Sequence, residues 1–277
     1  MTTHRPEPFF LYGTAWKEDD TQRLTLQALE LGFRGIDTAN QRRHYHEAGV
    51  GAALAEAFER KLVTRDDLFL QTKFTHRAGQ DHRLPYDPDA PMATRVRQSA
   101  KLSLEHLGIE RIDSYVLHGP EYRTGLSDGD REAWSAMEEL LDEGMVSVLG
   151  VSNVSQEQLE ELCSIARHRP VFVQNRCYAQ LGWDAGVREL CREHEMVYQG
   201  FSLLTANGIV FQHPEFRALA ERRGQTLAQL VFAFSKQVGM LPLTGSSSAE
   251  HLREDLACDE AGPLSDEELE QVEWIAT

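Results

Sequence analysis

Basic residues are scarce in this chain. Its 277 residues carry 28 Lys and Arg against 44 Asp and Glu, a formal charge of −16. That excess argues against nucleic-acid backbones and anionic membrane surfaces as partners, and its ordinary consequence is solubility. Cysteine is sparse as well. Cys163, Cys177, Cys191 and Cys258 form no C-x-x-C pair and no metal-type cluster. They read as reduced, mostly buried thiols of a cytoplasmic protein. No window approaches the ~20 apolar residues of a membrane span. The opening MTTHRPEPFFLYG has no basic region followed by a long apolar run, which argues against a signal peptide. G-x-G-x-x-G and Walker loops are missing too. The first apolar run leads instead into Gly13-Thr14-Ala15-Trp16-Lys17. Low-complexity tracts, alignable repeats and a dividing linker are also absent.

What is present is alternation. Apolar content of 41% supports a large core. Strand-like runs fall at 9–15, 33–39, 68–74, 112–119, 146–152, 171–178, 197–204 and 240–245. Between them lie stretches with helical periodicity: 20–31, 47–62, 93–107, 130–142, 156–166, 186–194 and 226–238. Asp20 and Ser155 stand as N-caps, with Gln158 completing a capping box. Gly32, Gly108 and Gly144 sit where helices end. Strands alternating with helices predict parallel pairing and right-handed crossovers. Eight such units match a (β/α)8 TIM barrel, one α/β domain over 1–277, with a doubly wound sheet as runner-up. The longer loops 76–91 and 119–129 follow strands and belong to the functional face.

Four ionisable residues sit where an apolar strand meets a loop: Asp37, Tyr45, Lys73 and His118. Each has a plain structural explanation. Asp37 can cap a loop, Tyr45 can pack at a helix start, and His118 can be a satisfied core histidine. Lys73 is harder to explain, because a lysine inside Leu-Gln-Thr-Lys-Phe is costly to bury without a partner. In a barrel all four point into one mouth. A phenol with a pKa of about 10 acts as a general acid when a neighbouring ammonium lowers it, and a carboxylate can hold that ammonium. Zinc bound by His44, His46, His118 and Asp37 is the competing chemistry. Lys73 would sit badly beside a cation, and Tyr45-His46-Glu47 leads into a helix.

These segments, in this order and spacing, resemble the aldo-keto reductase superfamily over nearly the whole chain. The resemblance rests on Gly13-Thr14-Ala15-Trp16-Lys17, Gly35-Ile36-Asp37-Thr38-Ala39, Gln71-Thr72-Lys73, Leu117-His118-Gly119, Gly150-Val151-Ser152-Asn153 and Gly245-Ser246-Ser247. It implies a (β/α)8 barrel that binds NADPH, with NADH also possible, and reduces small aldehydes or ketones as a cytoplasmic monomer. Tyr45 would donate the proton, Lys73 would lower its pKa, Asp37 would pair with Lys73, and His118 would orient the carbonyl. Gly13 and Thr14 would border the cofactor. Ser152, Asn153 and Asn175 would hold its carboxamide, and Phe201 would stack on the nicotinamide. Ser202 and Leu204 would pass the pyrophosphate. Gly245, Ser246, Ser247, His251 and Asp255 would meet the adenosine end. Trp16, His46 and Tyr122 are expected to line the substrate pocket, with His76, Tyr86 and Trp183 as further candidates.

Three departures stand out. Tyr45 lies eight residues after Asp37 rather than five, and position 42 is Arg. Gly245 and His251 replace a frequent Lys and Arg at the cofactor phosphate, with Arg253 nearby to compensate. The chain ends soon after Trp274, so the expected pocket has no C-terminal lid. Two other functions stay open: a cofactor-sensing regulatory subunit of the same fold, and a metal-dependent barrel hydrolase.

Overall fold

A computed structural model describes residues 9–275. Residues 1–8, on which the expectation about a signal peptide falls, and residues 276 and 277 lie outside the described residues. Eight parallel strands close into a barrel in sequence order. They are β1 (Leu11–Gly13), β2 (Gly35–Asp37), β3 (Phe69–Phe74), β4 (Ile112–Leu117), β5 (Val146–Ser152), β6 (Phe172–Arg176), β7 (Val197–Phe201) and β8 (Met240–Thr244). β8 closes the ring by pairing Leu243 with Leu11 and Thr244 with Tyr12. No helix among the described residues is long and apolar enough to cross a membrane. All four cysteines are free and buried.

The crossover helices are α1 (Thr21–Leu31), α2 (Glu47–Glu59), α3 (Met92–Leu107), α4 (Asp128–Asp142), α5 (Gln156–Ile165) and α6 (Ala185–Glu193). They are followed by α7 (Gly208–Gln212), α8 (Pro214–Arg223), α9 (Leu227–Gln237), α10 (Ala249–Leu256) and α11 (Asp266–Trp274). Periodicity does not announce α7, α8, α10 and α11. The Ser155–Gln158 capping box forms as expected. Asp20 does not cap: it precedes α1, but its carboxylate pairs with Arg23 at 2.9 Å. Helix α4 starts two residues earlier than expected, because Ser127 caps it and Asp130 returns the bond. Gly32, Gly108 and Gly144 all take left-handed φ, as helix-ending glycines do. Helix α2 packs so closely on the end of α3 that a Cβ at Gly51 would fall 1.8 Å from the His106 carbonyl oxygen.

Alternation along the strands sorts the barrel interior into storeys. Leu11, Phe69, Phe172 and Leu241 form an apolar floor, with the Phe69 and Phe172 rings edge-on at 5.3 Å. Two residues further along, the same inward faces carry Gln71, Gln174 and Gln199, joined by Ser114 of β4. The Gln71 and Gln199 amides bond each other reciprocally, at 2.7 and 3.1 Å. Gln174 donates to Gln199 at 3.0 Å, and the Ser114 hydroxyl donates to Gln71 at 2.9 Å. Buried amides are tolerated here because each finds a partner. This polar storey carries the mouth above it.

Candidate active site

Asp37 ends β2, and its Oδ1 accepts three bonds. Lys73 Nζ donates at 2.6 Å, Gln71 at 2.7 Å and Gln174 at 3.0 Å. Lys73 also donates to the Thr38 carbonyl at 2.8 Å. The lysine is 0% exposed and the aspartate 3%, so each charge depends on the other. Burial pushes the Lys73 ammonium down in pKa, and the Asp37 carboxylate opposes that shift.

Tyr45 reaches this pair through the turn 40–46. Buried Asn40 donates to the Ser99 carbonyl at 3.0 Å. Buried Gln41 donates to the Gly79 carbonyl at 2.9 Å and accepts from the His44 amide at 3.0 Å. The Tyr45 amide bonds back to the Gln41 carbonyl at 3.0 Å. The added residues are therefore absorbed in a pinned turn. Lys73 Nζ sits 5.3 Å from the centroid of the Tyr45 ring, and the His118 ring stands edge-on at 5.8 Å. The expected depression of the phenol's pKa is not what the structure gives. Burial, and then the Asp37 charge, hold the phenol above its ordinary value. Lys73 spends its charge on Asp37, so the pair presents little net charge to the ring.

His118, past the end of β4, is pushed down to about 3 by burial, then by Lys73 and His44. It is a neutral imidazole at ordinary pH, and its Nδ1 lies 2.7 Å from the Thr75 hydroxyl. Asp37, Tyr45 and His118 line one cavity of about 1310 Å³. The cavity runs across the barrel mouth to α10, where His251, Glu254 and Asp255 face it. Burial pushes Asp255 up to about 6, against a Thr244 hydroxyl that donates to it at 2.8 Å.

Most of the cofactor residues expected from the sequence lie on this wall: Gly13, Ser152, Asn153, Phe201, Ser202, Leu204, Gly245, Ser246, Ser247, His251 and Asp255. Two do not. Thr14 is fully buried, and its hydroxyl donates to the Asp37 carbonyl at 3.0 Å, so it braces β2. Asn175 faces the helices rather than the barrel axis. Its amide is taken up by Val154 at 3.1 and 2.8 Å and by Asp184 at 2.9 Å. The residue on the cavity side is Gln174. Alternation was the missed signal: Phe172, Gln174 and Arg176 share the inward face of β6.

The substrate-side expectations divide. Trp16 lines the cavity, and its ring lies 4.0 Å from that of His44, which lines it too. His46 points away and meets the Glu18 carbonyl at 3.2 Å. Tyr122 is 67% exposed and lies off the cavity wall. His76 is buried beside Asp130, with Nε2 2.9 Å from Oδ1. Tyr86 donates to the Thr75 carbonyl at 2.8 Å beneath the loop. Trp183 is a fully buried core residue against Phe234. Arg253 lies off the cavity, donating to the Ala249 carbonyl at 3.3 Å, so it does not replace the missing cations. His44, His46, His118 and Asp37 do not converge as metal ligands would. Among the described residues, the metal-type groups that do converge are His76, Glu121 and Asp130.

Two basic residues of the cavity, Lys17 and Arg176, carried no expectation of their own. Lys17 crosses from β1 to β8, donating to the Gly245 carbonyl at 2.7 Å, and burial pushes it down to about 8. Arg176 ends β6 on the inward face.

The aldo/keto reductase family model matches residues 9–276. An aldo-keto reductase of Mycobacterium marinum is 30% identical over 86% of this chain and 77% of its own length. A glycerol 2-dehydrogenase (NADP(+)) of Hypocrea jecorina is 28% identical over 97% of this chain and 87% of its own length. Two solved structures share the fold. The aldo/keto reductase of Brucella melitensis has a TM-score of 0.80 at 24% identity, covering 96% of this chain and 94% of that one. The Bombyx mori aldo-keto reductase in complex with NADP has a TM-score of 0.78 at 23% identity, covering 96% and 88%.

Proposed function

The chain belongs to the aldo-keto reductase family and is an NAD(P)H-dependent oxidoreductase, and we propose that it reduces small aldehydes or ketones to alcohols, with Tyr45 as proton donor. The observation that carries this reading is the meeting of Tyr45 and His118 on one cavity wall above the buried Lys73–Asp37 pair. A phenol held above its ordinary pKa is protonated at working pH but a weaker acid, so it gives up its proton only as charge builds on the carbonyl oxygen. The Nδ1 of a neutral His118 can accept from the Thr75 hydroxyl, and the tautomer that does so carries its proton on Nε2, where it can donate to a carbonyl oxygen. Lys73 and Asp37 then act on Tyr45 through position, with Lys73 Nζ 5.3 Å from the centroid of its ring.

The cavity fits an extended dinucleotide beside a small substrate. At about 1310 Å³ it exceeds the roughly 300–1,000 Å³ of common small-molecule sites. When bound, the cofactor supplies the hydride. The Oε1 of Gln174 and the Oδ1 of Asn153 take no hydrogen bond among the described residues, which suits them, with Ser152, to hold a carboxamide. Phe201 would back the nicotinamide, and Lys17 stands in the groove as a cation for the phosphates. We read the cofactor as NADPH with NADH admitted, because the far end offers the His251 ring as a hydrogen-bonding group with Glu254 close by on the same wall. The protein would act as a single-domain monomer in the cytoplasm, where buried free thiols persist.

Turnover of 4-nitrobenzaldehyde with NADPH tests the reading. Tyr45→Phe is expected to cut kcat about 10²- to 10⁴-fold while the dinucleotide Kd holds. Undiminished turnover would remove Tyr45 from the role. A wild-type protein that binds dinucleotide without turnover would point to a sensing subunit instead.

A further inference from the structure

Arg176 has no task in the reaction just described, yet it stands on the cavity wall. Alternation along β6 turns it inward, two residues beyond Gln174. In the closed strand order β6 lies opposite β2, with three strands between them on either side. Arg176 therefore faces the Tyr45 wall from across the mouth. Its guanidinium lies over the Tyr178 ring, 5.4 Å from the centroid. Among the described residues, no carboxylate lies within ion-pair distance of it, and none of its side-chain N–H groups has an acceptor.

Three of the four acids on the same wall are already engaged: Asp37 holds Lys73, Asp20 holds Arg23, and Asp255 takes the Thr244 hydroxyl. The fourth, Glu254, stands on α10 and forms no ion pair with Arg176 among the described residues. In a chain with 44 acidic residues against 28 basic ones, a cavity-facing guanidinium without an acid is conspicuous. A guanidinium does not lose its charge at working pH, and its planar fork of donors matches the oxygens of a carboxylate or phosphate. The ring beneath it holds the fork in place at little entropic cost.

We propose that Arg176 is an oxyanion-binding residue of this cavity, its ligand either a carboxylate carried by the carbonyl substrate or a phosphate of the dinucleotide. This rests on the reductase reading above. Both ligands present the same chemistry to the fork, and two measurements tell them apart. The first is the Kd of NADPH and of NADH, by fluorescence titration, for wild type, Arg176→Met and Arg176→Lys. The second is the ratio of kcat/KM for 4-carboxybenzaldehyde over that for its methyl ester, in the same three proteins.

Loss of a charge-assisted contact is expected to cost about 10- to 100-fold in one of them. A raised Kd in Arg176→Met, with the ratio held, assigns the phosphate. A fallen ratio with Kd held assigns the substrate carboxylate. Partial recovery in Arg176→Lys shows that the charge is what matters. If neither quantity moves by more than about twofold, less than the weakest charged contact would give, the proposal is overturned. Failure of the underlying reading looks different: wild type then reduces neither aldehyde, and the titration arm still reports on Arg176.

Discussion

At the β2–β4 end of the cavity, Asp37 and Lys73 are 3% and 0% exposed and every charge has a partner. At the β8–α10 end, Gly245, Ser247 and His251 stand exposed on a loop and a helix start. The two ends serve one cavity but are built by different physics. Burial makes an unmatched charge expensive, so the first end is a closed network resting on glutamines. It also shifts titrating groups strongly, as the neutral His118 shows. The exposed end is screened by water and can vary in charge at little cost to the fold. Placement at the first end is enforced by stability. At the second it is a matter of ligand choice.

The largest test of this contrast is Lys73→Met. It leaves Asp37 buried without its counter-charge and should cost about 3–5 kcal/mol in denaturant unfolding, with activity lost as well. Adding Asp37→Asn should recover part of the stability and none of the activity. An unshifted midpoint for the single variant would break the contrast. Gln71→Leu is the next step down. It strips one donor from Asp37 and leaves the Gln199 amide nitrogen without its acceptor, at about 1–3 kcal/mol. Gln71→Leu with Gln199→Leu should cost less than the sum of the two singles, because both members of the amide pair go together.

Effects should shrink toward the open end. Lys17 is charged below about 8 and neutral above it, so its pull on an anion is present at pH 7 and lost as pH rises. Dinucleotide Kd should therefore rise about 3- to 10-fold between pH 7 and pH 9, and Lys17→Met should flatten that dependence. Over pH 5 to 8, His118 should add no limb to the kcat profile, since it titrates near 3. Smallest of all is Arg253→Ala. Lying off the cavity, it should change the NADPH-to-NADH preference by less than about twofold, measured as a ratio of Kd values.

Much of the fold was legible in the sequence because alternating strands and helices leave periodic apolar traces. The barrel and all eight strands follow from them. Helices α10 and α11 were not legible; α11 spans nine residues with only Val272 buried, too little for a periodic signature. Within the site, Lys73 and His118 could be found because a charged or polar group inside an apolar run demands an explanation. Asn175 was misplaced by one residue, and in a strand one residue is the opposite face. Gln71 and Gln199, 128 residues apart, bear no local mark of their pairing. Trp183 looks like a pocket aromatic in a loop, yet left-handed turns at 182–184 fold it into the core.

The sequence by itself determined the barrel, the family and the residue types that ring its mouth, since these depend on local periodicity and short motifs. Only the tertiary structure decided which of those residues share a wall. It set Gln174 inside and Asn175 outside, brought Tyr45 back to Lys73 through a pinned turn, and turned Arg176 toward the cavity without an acid. The reason is physical: burial and pairing arise from contacts between distant strands, and strand register, which no local pattern carries, sets those contacts.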